Sequence, residues 1–594
     1  MEITRTLPKE TNFVKKLWAF MHPYKSSLYL AVLFVTINAV LSVLEPFVLG
    51  LIITEISENV LAIAQKVPGA GINYPKITWL LIIYFIRSLI VQMALYGQNF
   101  FITNAVQSTV KDIRNALSHK LNQLPVSYVD QHQFGDLLGR ITNDVEAVSN
   151  AMQQSLLQVV EAVLKLTFVV AFMLYLNVTL AVILTITIPL CYWVATYLVK
   201  KSQPYFNKQQ DILGQLNGYI QENFSGFTVV KLYSREAAAS HEFRQITQEL
   251  ADVGFKSSFI SALMLPLVGV ISHGSFLVVA LIGSLQVIAG TLTIGNLQAF
   301  SEYVWQINQP IQILTQLSGM IQTAKAATDR IFEVLEGPQE HDEVVERLER
   351  PLTGQVSFDH VSFSYAPDQE LIKDFTVDVN PGEMVAIVGP TGAGKTTMIN
   401  LLMRFYDVDQ GAIRVDGIDI RDLSRQDYRR NFGMVLQDTW LFEGTVKENL
   451  RFGNLTATDE EIIEAAKAAN VDHFIRTLPG GYNMMMNQES SNISQGQKQL
   501  FTIARALLSD PKILILDEAT SSVDTRLELL IQKAMSRLMQ GRTSFVIAHR
   551  LSTIQEADKI IVMKDGQIIE QGNHETLLAE KGFYADLYQS QFEE

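Results

Sequence analysis

The chain has 594 residues, 48% of them hydrophobic and only 18% charged, where a soluble protein carries about 25% charged residues. Lys and Arg total 47 against 61 Asp and Glu, a net charge of −14; with no basic excess to neutralise phosphates, nucleic acid is excluded as the main partner. The single cysteine, Cys191, excludes an internal disulfide framework and any cysteine-based zinc site, and its apolar neighbours read it as a small buried hydrophobe.

In chain order, the first segment is charged and lacks the apolar core of a cleavable signal. Asn12–Tyr24 reads as an amphipathic helix along a membrane surface, with Phe13, Leu17, Trp18 and Met21 towards lipid. Six apolar stretches follow: Leu28–Ile53, Ile77–Ile102, Val159–Leu176, Leu180–Val199, Phe259–Leu285 and Ile294–Met320. Each is near or above the ~20 residues that a helix needs to cross a bilayer. The last is interrupted by Gln298, Glu302, Gln306, Asn308, Gln309, Gln312 and Gln316. Lys and Arg concentrate before the first span and in the two long loops, at Lys111, Arg114, Lys120, Arg140, Lys200, Lys201, Lys208, Lys231 and Arg235. That asymmetry predicts a cell-membrane protein whose N-terminus and long loops are cytoplasmic. The loops are too long for structureless connectors and rich in helix formers, so they read as extensions of the spans, turning at Asp130–Gly135 and Ser225–Gly226.

After about Leu335 the pattern changes. Residues 336–354 read as a linker, and residues 355–594 alternate short β-rich runs with helices: Val356–Tyr365, Met384–Val388, Met434–Leu436, Ile513–Leu516, Ser544–Ile547 and Lys559–Lys564. The prediction is an α-helical six-span domain over 1–335, with long cytoplasmic helical extensions, fused to an α/β P-loop domain with a mostly parallel sheet.

Gly389-Pro390-Thr391-Gly392-Ala393-Gly394-Lys395-Thr396 fits the phosphate-loop pattern between a predicted strand and the helix-like run Thr397–Phe405. Its amides and the helix N-terminus supply positive potential to a phosphate. Lys395 is placed to reach β- and γ-phosphates, Thr396 to hold Mg²⁺, and Thr397 continues the loop into the helix. Ile513–Leu516 ends in Asp517 and Glu518, carboxylates at the carboxyl end of a sheet strand where ligands bind. Asp517 suits Mg²⁺, and Glu518 suits a general base polarising the attacking water.

With these elements in place the sequence resembles the ATP-binding cassette (ABC) family, and specifically half-transporters of its exporter class, over nearly the whole length. The signature, usually LSGGQ, stands here as Ile493-Ser494-Gln495-Gly496-Gln497. The resemblance implies that two cassettes meet head to tail, with Ser494, Gly496 and Gln497 facing the γ-phosphate of ATP bound by the partner. It further implies adenine stacking on Tyr365, a Mg²⁺- and water-contacting Gln437, a switch histidine at His549, and communication between the two sites through Ser522-Val523-Asp524. Tyr128–Asp130 with Gly135, Asp136 and Arg140, and Ser225-Gly226 with Val229–Lys231, resemble the class's coupling loops. The implied activity is ATP-driven export of hydrophobic or amphipathic small molecules by alternating access. A lipid flippase or peptide exporter uses the same engine; a soluble, non-transport ABC ATPase conflicts with the six spans.

Two departures bear on the partner. Gln495 replaces the usual signature glycine, and Gln488 stands where exporters carry a cross-talk acid, whereas Lys395, Gln437, Asp517, Glu518 and His549 are intact. This resembles the consensus half of heterodimeric multidrug exporters, so a heterodimer with a second half-transporter is favoured over a homodimer. For cargo, the intramembrane polar residues Arg87, Gln92, Glu161, Lys165, His273, Glu302, Gln306 and Asn308 are candidates. Glu161 and Lys165, four apart on one helix face, read first as mutually neutralising. Trp305, Gln306 and Gln309 share a face suited to line a cavity.

Overall fold

A computed structural model describes residues 12–340, 352–366, 369–436, 439–486, 493–517, 525–547 and 551–592. The chain divides into two compact units, Met1–Gln123 with His132–Gly337, and Leu124–Gln131 with Pro338–Glu594.

The first unit is helical. Asn12 caps α1 (Phe13–Met21) by accepting from the Val14 amide. Leu17 and Met21 of α1 are buried, and Phe20 sits edge-on to Phe332. The expectation that the whole apolar face lies in lipid is therefore corrected: Leu17 and Met21 pack on protein, and Val14 and Trp18 stay exposed. The long helices α2 (Lys25–Ala64) and α3 (Tyr74–Leu121) follow, then the short α4 (Val126–Asp130), which belongs to the other unit, and α5 (Phe134–Gly139). Next come α6 (Val145–Leu176), α7 (Val178–Ser225), the short α8 (Phe227–Leu232), α9 (Glu236–Ala262), α10 (Met264–Ile288) and α11 (Ile294–Leu335). Helices α3 and α7 run 48 residues each, about 72 Å at 1.5 Å per residue, against a hydrocarbon core of ~30 Å. They extend well beyond a bilayer, as the loop composition predicts. The break between α9 and α10 follows from Pro266, which has no N–H to offer the Ala262 carbonyl.

Among the described residues, five helical stretches are long and apolar enough to cross a membrane: Phe13–Ala64, Tyr74–Leu121, Phe134–Leu176, Val178–Ser225 and Glu236–Ile288. The chain is a multi-pass membrane protein. The sixth long helix, α11, spans 42 residues with a glutamine-rich middle that makes it less apolar than the others. Arg140–Asp144 winds as a wide π-turn between α5 and α6. Arg140 there pairs with Asp136 at 2.9 Å and Glu333 at 2.9 Å, while Asp144 pairs with Arg330, tying this bend to the end of α11.

The second unit holds two sheets. One is antiparallel, ordered β2-β1-β4-β5, from β1 (Val356–Ala366), β2 (Gln369–Val379), β4 (Gln410–Val415) and β5 (Ile418–Asp419). The other has six strands, ordered β12-β11-β3-β10-β9-β6. Its members are β3 (Met384–Val388), β6 (Phe432–Val435), β9 (Ile513–Asp517), β10 (Thr543–Ile547), β11 (Lys559–Lys564) and β12 (Gln567–Gly572). Strands β7 (Gly444–Thr445) and β8 (Met485–Met486) form a small ribbon. The parallel set β11, β3, β10, β9 and β6 matches the runs read from sequence. Strand β1 answers to the predicted run Val356–Tyr365; its antiparallel partners β2, β4 and β5, and β12, are additions. The added strands β4 and β12 are partly exposed along their length and lack the continuous apolar run that marks a two-sided buried strand. The mostly parallel sheet read from sequence is present, with β12 alone antiparallel in it, and an antiparallel sheet joins it in the same unit.

Candidate functional site

Strand β3 ends at Val388, and the phosphate loop begins at Gly389. Two glycines there are demanded by the backbone. Gly389 has φ +154°, and a Cβ on it would lie 2.2 Å from the Met563 carbonyl oxygen of β11. Gly394 has φ +98°, and its Cβ would meet the Ile372 side chain at 2.6 Å. Only glycine combines that backbone with that clearance. Gly394 is the N-terminal flank of α12 (Lys395–Leu402), so the loop amides and a helix N-terminus converge on one concavity. The helix starts and ends slightly earlier than the predicted Thr397–Phe405. Ala393 and Thr397 are buried and anchor the loop from below, whereas Thr391, Gly392 and Thr396 are exposed at its mouth.

Lys395 Nζ donates to the carbonyls of Gly389 at 2.7 Å and Pro390 at 3.0 Å. The ammonium therefore sits over the loop rather than out in solvent. Burial lowers its pKa, and the Asp517 carboxylate acts in the opposite direction. The last residue of β9 lies at the same end of the sheet as the phosphate loop. The register explains it: Asp517 pairs with Ile547 of β10, Ile547 pairs with Ile387 of β3, and Ile387 is one residue short of the strand's end. The carboxyl ends of β3, β10, β9 and β6 share one edge of the sheet, the position at which parallel sheets bind ligands. The donor set fits a polyphosphate: backbone amides, one ammonium, the Thr396 hydroxyl and the Asp517 carboxylate. The last two are oxygen ligands of the kind that hold Mg²⁺.

Tyr365, on β1, is half exposed, and its hydroxyl accepts from Asn400 Nδ2 at 3.3 Å. It lies edge-on to Phe363, with centroids 4.9 Å apart, and to Tyr406, at 5.0 Å. Part of the ring remains open to solvent. Tyr406 donates to Asp130 Oδ2 of α4 at 2.6 Å, and burial together with that carboxylate raises its pKa. An aromatic pair therefore joins the Tyr365 ring to α4.

Ser494 caps the helix Gln495–Ser509 through a reciprocal box: the Gln497 amide donates to Ser494 Oγ at 3.4 Å, and the Ser494 amide to Gln497 Oε1 at 3.0 Å. Gln497 thus shapes this helix start with its side chain. Gly496 is buried in the first turn, and exposed Gln495 donates to Thr439 Oγ1 at 3.5 Å. Gln437, Gln488, Glu518, Ser522, Val523, Asp524 and His549 lie outside the described residues.

In the membrane unit the polar candidates separate. Arg87 is buried; it donates to the Leu41 carbonyl at 2.9 Å and to Glu45 at 2.7 Å, so it is committed to structure. Pro46 interrupts α2, and the carbonyls just before it are taken by neighbouring helices. Gln306 donates to Ser42 at 3.4 Å, and buried Tyr303 to Val43 at 2.9 Å. Proline leaves the Ser42 carbonyl without its helical donor, which Gln306 supplies instead, while Tyr303 braces the carbonyl next to it. Glu161 pairs with Lys165 at 2.7 Å and accepts from Asn38 at 3.4 Å. His273 lies edge-on to Trp305, at 5.1 Å. Gln92, Glu302 and Gln309 are exposed, and the Asn308 side chain lies outside the described set. Sequence reading missed Asn38, Glu45 and Tyr303. For the first two the signal was present, as polar residues inside the first apolar stretch.

The ABC transporter transmembrane-region family matches residues 28–311, and the ABC transporter family matches residues 372–521. A fatty acid ABC transporter ATP-binding/permease protein of Mycobacterium bovis is 44% identical over 518 residues, covering 87% of this chain and 82% of that protein. An ATP-dependent lipid A-core flippase of Syntrophus aciditrophicus is 35% identical over 523 residues, covering 88% of this chain and 87% of its own. Among solved structures, a bacterial Atm1-family ABC exporter with ATP bound superposes with a TM-score of 0.74 at 26% identity, covering 96% of this chain and 98% of that one.

Proposed function

We propose, for a chain that belongs to the ABC exporter family and couples ATP hydrolysis to transport, that its cargo is a hydrophobic or amphipathic small molecule leaving the cytoplasmic side of the cell membrane. The orientation rests on the Lys and Arg of the N-terminus and long loops, which favour the cytoplasm and carry the ATPase unit with them. The cargo class rests on relatives whose names specify a fatty acid and a lipid A-core. The observation that carries the ATPase reading is the glycine loop at the end of β3 with Lys395 folded over it, on the same carboxyl edge of the sheet at which β9 ends in Asp517.

In this reading Gly389–Thr397 and Lys395 bind the ATP phosphates, and Tyr365 stacks on adenine. Thr396, Asp517 and Gln437 hold Mg²⁺, which supplies charge neutralisation when bound. Glu518 orients and deprotonates the attacking water, and His549 contacts the γ-phosphate. Ser494, Gly496 and Gln497 present a capped helix start to the partner's nucleotide, and Asp524 relays between the two sites. Gln495 and Gln488 favour a heterodimer in which this chain supplies the intact hydrolytic residues.

The test is Glu518→Gln in the purified transporter. ATP turnover is expected to fall to background while nucleotide binding, read by a thermal shift with ATP, persists. Turnover at the wild-type rate removes Glu518 from the catalytic role.

A further inference from the structure

We propose, resting on the roles read above for Gln437 and the signature, that Arg505 is a positioning residue for ATP hydrolysis. It clamps the segment that follows Gln437 onto the signature helix, so that groups serving two different nucleotides shift as one block.

The clamp is a single side chain. Arg505 stands on the helix Gln495–Ser509, ten residues or about 15 Å along from Gln495. Its three nitrogens all donate to one stretch of chain: Nη1 to the Trp440 carbonyl at 2.7 Å, Nε to the Asn449 carbonyl at 2.6 Å and Nη2 to Asn449 Oδ1 at 2.6 Å. The guanidinium also lies over two rings, 5.9 Å from the centroid of Phe442 and 5.6 Å from that of Phe452. Burial lowers its pKa to about 10, so it remains a cation at neutral pH. Among the described residues its partners are all neutral: carbonyls, an amide oxygen and aromatic faces. Desolvating a cation without a counter-charge is costly. What a guanidinium adds here is a rigid planar fork that holds two separate points of the chain at once.

The gripped segment is stiff. Asn449 is buried; it accepts from the Phe442 amide at 2.8 Å and donates to the carbonyls of Phe442 at 2.9 Å and Thr445 at 3.1 Å. Residues 442–449 therefore close on themselves. Beyond them Gly453 lies against the helix backbone, where a Cβ would come 2.2 Å from the Arg505 carbonyl oxygen. Before them Thr439 Oγ1 accepts from Gln495 at 3.5 Å. The segment thus meets the signature helix at its first residue and again around Arg505.

The two joined parts serve different sites. Strand β6 ends at Val435, and Gln437 comes three residues before Trp440. Three residues span at most about 10 Å even when fully extended, which leaves Gln437 little slack from the first clamped carbonyl. At the other side of the clamp, Ser494 and Gly496 form the helix start. Gln437 attends this chain's nucleotide, and the signature attends the partner's. Packed rings and hydrogen bonds that join two elements carry a displacement from one to the other.

The experiment uses the purified transporter, with any second half-transporter that accompanies it, in nanodiscs. Melting midpoint and ATP turnover per folded protein are measured for Arg505→Met and Arg505→Lys. ATP affinity is read without Mg²⁺, so that no turnover intervenes. Both variants are expected to bind ATP within about twofold of the unaltered protein and to lose about tenfold in turnover, the size of one lost charge-assisted hydrogen bond. Lysine keeps the charge, but one nitrogen cannot span Trp440 and Asn449. It is therefore expected to recover melting midpoint lost in Arg505→Met without recovering turnover. If Arg505→Met does not fold, Arg505→Lys carries the test. Undiminished turnover per folded protein in Arg505→Lys overturns the proposal, because a charge at this position is then enough. So does a turnover loss matched by an equal loss of ATP affinity, which places the effect in the nucleotide pocket. Glu518→Gln is run alongside. Full turnover in Glu518→Gln defeats the reading of the ATP site; a silent Glu518→Gln beside a fully active Arg505→Lys defeats the positioning role alone.

Discussion

The two units of this chain use glycine for opposite ends. In the ATPase unit Gly389 and Gly394 hold positive φ and bend the chain into the loop between β3 and α12. In the membrane unit Gly50 of α2 and Gly295 of α11 have ordinary backbone angles and are needed for closeness. A Cβ on Gly295 would lie 1.7 Å from the Gly50 carbonyl oxygen, and the Gly295 amide donates to Thr54 Oγ1 at 3.1 Å. Small residues let membrane helices approach until their backbones touch. The first use leaves a fixed spacing in sequence, because consecutive residues must build one concavity. The second leaves none, because the partners are far apart in the chain and meet only after folding.

The sharpest way to break that comparison is Gly389→Ala. Its methyl group has a carbonyl oxygen 2.2 Å away, in the neighbouring strand, and that oxygen has no side-chain freedom with which to retreat. The loop must leave the edge of the sheet. ATP turnover is expected to fall to background and the ATP-dependent thermal shift to vanish, with the protein still inserted and extractable. Retained nucleotide binding would mean that the loop tolerates a backbone geometry other than the one seen here.

The same contrast explains what was legible beforehand. Lys395, Thr396 and Asp517 were readable because a phosphate loop and an acid-ended strand are local patterns with a chemical reason for each residue. The parallel strands were readable because both faces are buried, as in Ile513–Leu516, all of whose side chains are buried. Strands β2, β4 and β12 were not, since a half-exposed antiparallel strand looks like loop or helix when its partner is unknown. The signature helix was legible, but the use of Gln497 in its capping box was not, because that depends on the Ser494 backbone. In the membrane, Arg87 and Lys165 looked alike as intramembrane cations. Only packing separates them: Arg87 is buried and held by the Leu41 carbonyl and Glu45 of another helix, whereas Lys165 is partly exposed and pairs with Glu161 on its own helix.

Arg87→Met tests that separation with the next largest effect. It leaves Glu45 without its cation and the Leu41 carbonyl without its side-chain donor, beside the Pro46 interruption. Breaking such a buried pair by removing one partner costs about 3–5 kcal/mol in soluble proteins, and exposure of Glu45 reduces that here. A lower midpoint in detergent melting is expected, with ATP turnover unchanged once corrected for folded protein. A loss of turnover at unchanged stability would give Arg87 a part in the transport cycle instead.

Tyr303→Phe has the smallest expected effect and probes the proline brace most directly. The ring is fully buried and packs against Phe172 and Phe300, and phenylalanine preserves that packing. Only the hydroxyl is lost, together with its 2.9 Å hydrogen bond to the Val43 carbonyl. A hydrogen bond between membrane helices is worth about 0.6 kcal/mol on average, so a small drop in melting midpoint is expected. The Ser42 and Val43 carbonyls lie on the same interrupted turn and share donors from α11, Gln306 for one and Tyr303 for the other. The double variant Tyr303→Phe, Gln306→Leu is therefore expected to lose more than the sum of the single variants, because the second loss leaves the turn without either donor. Strict additivity would mean that α2 holds its shape across Pro46 without help from α11.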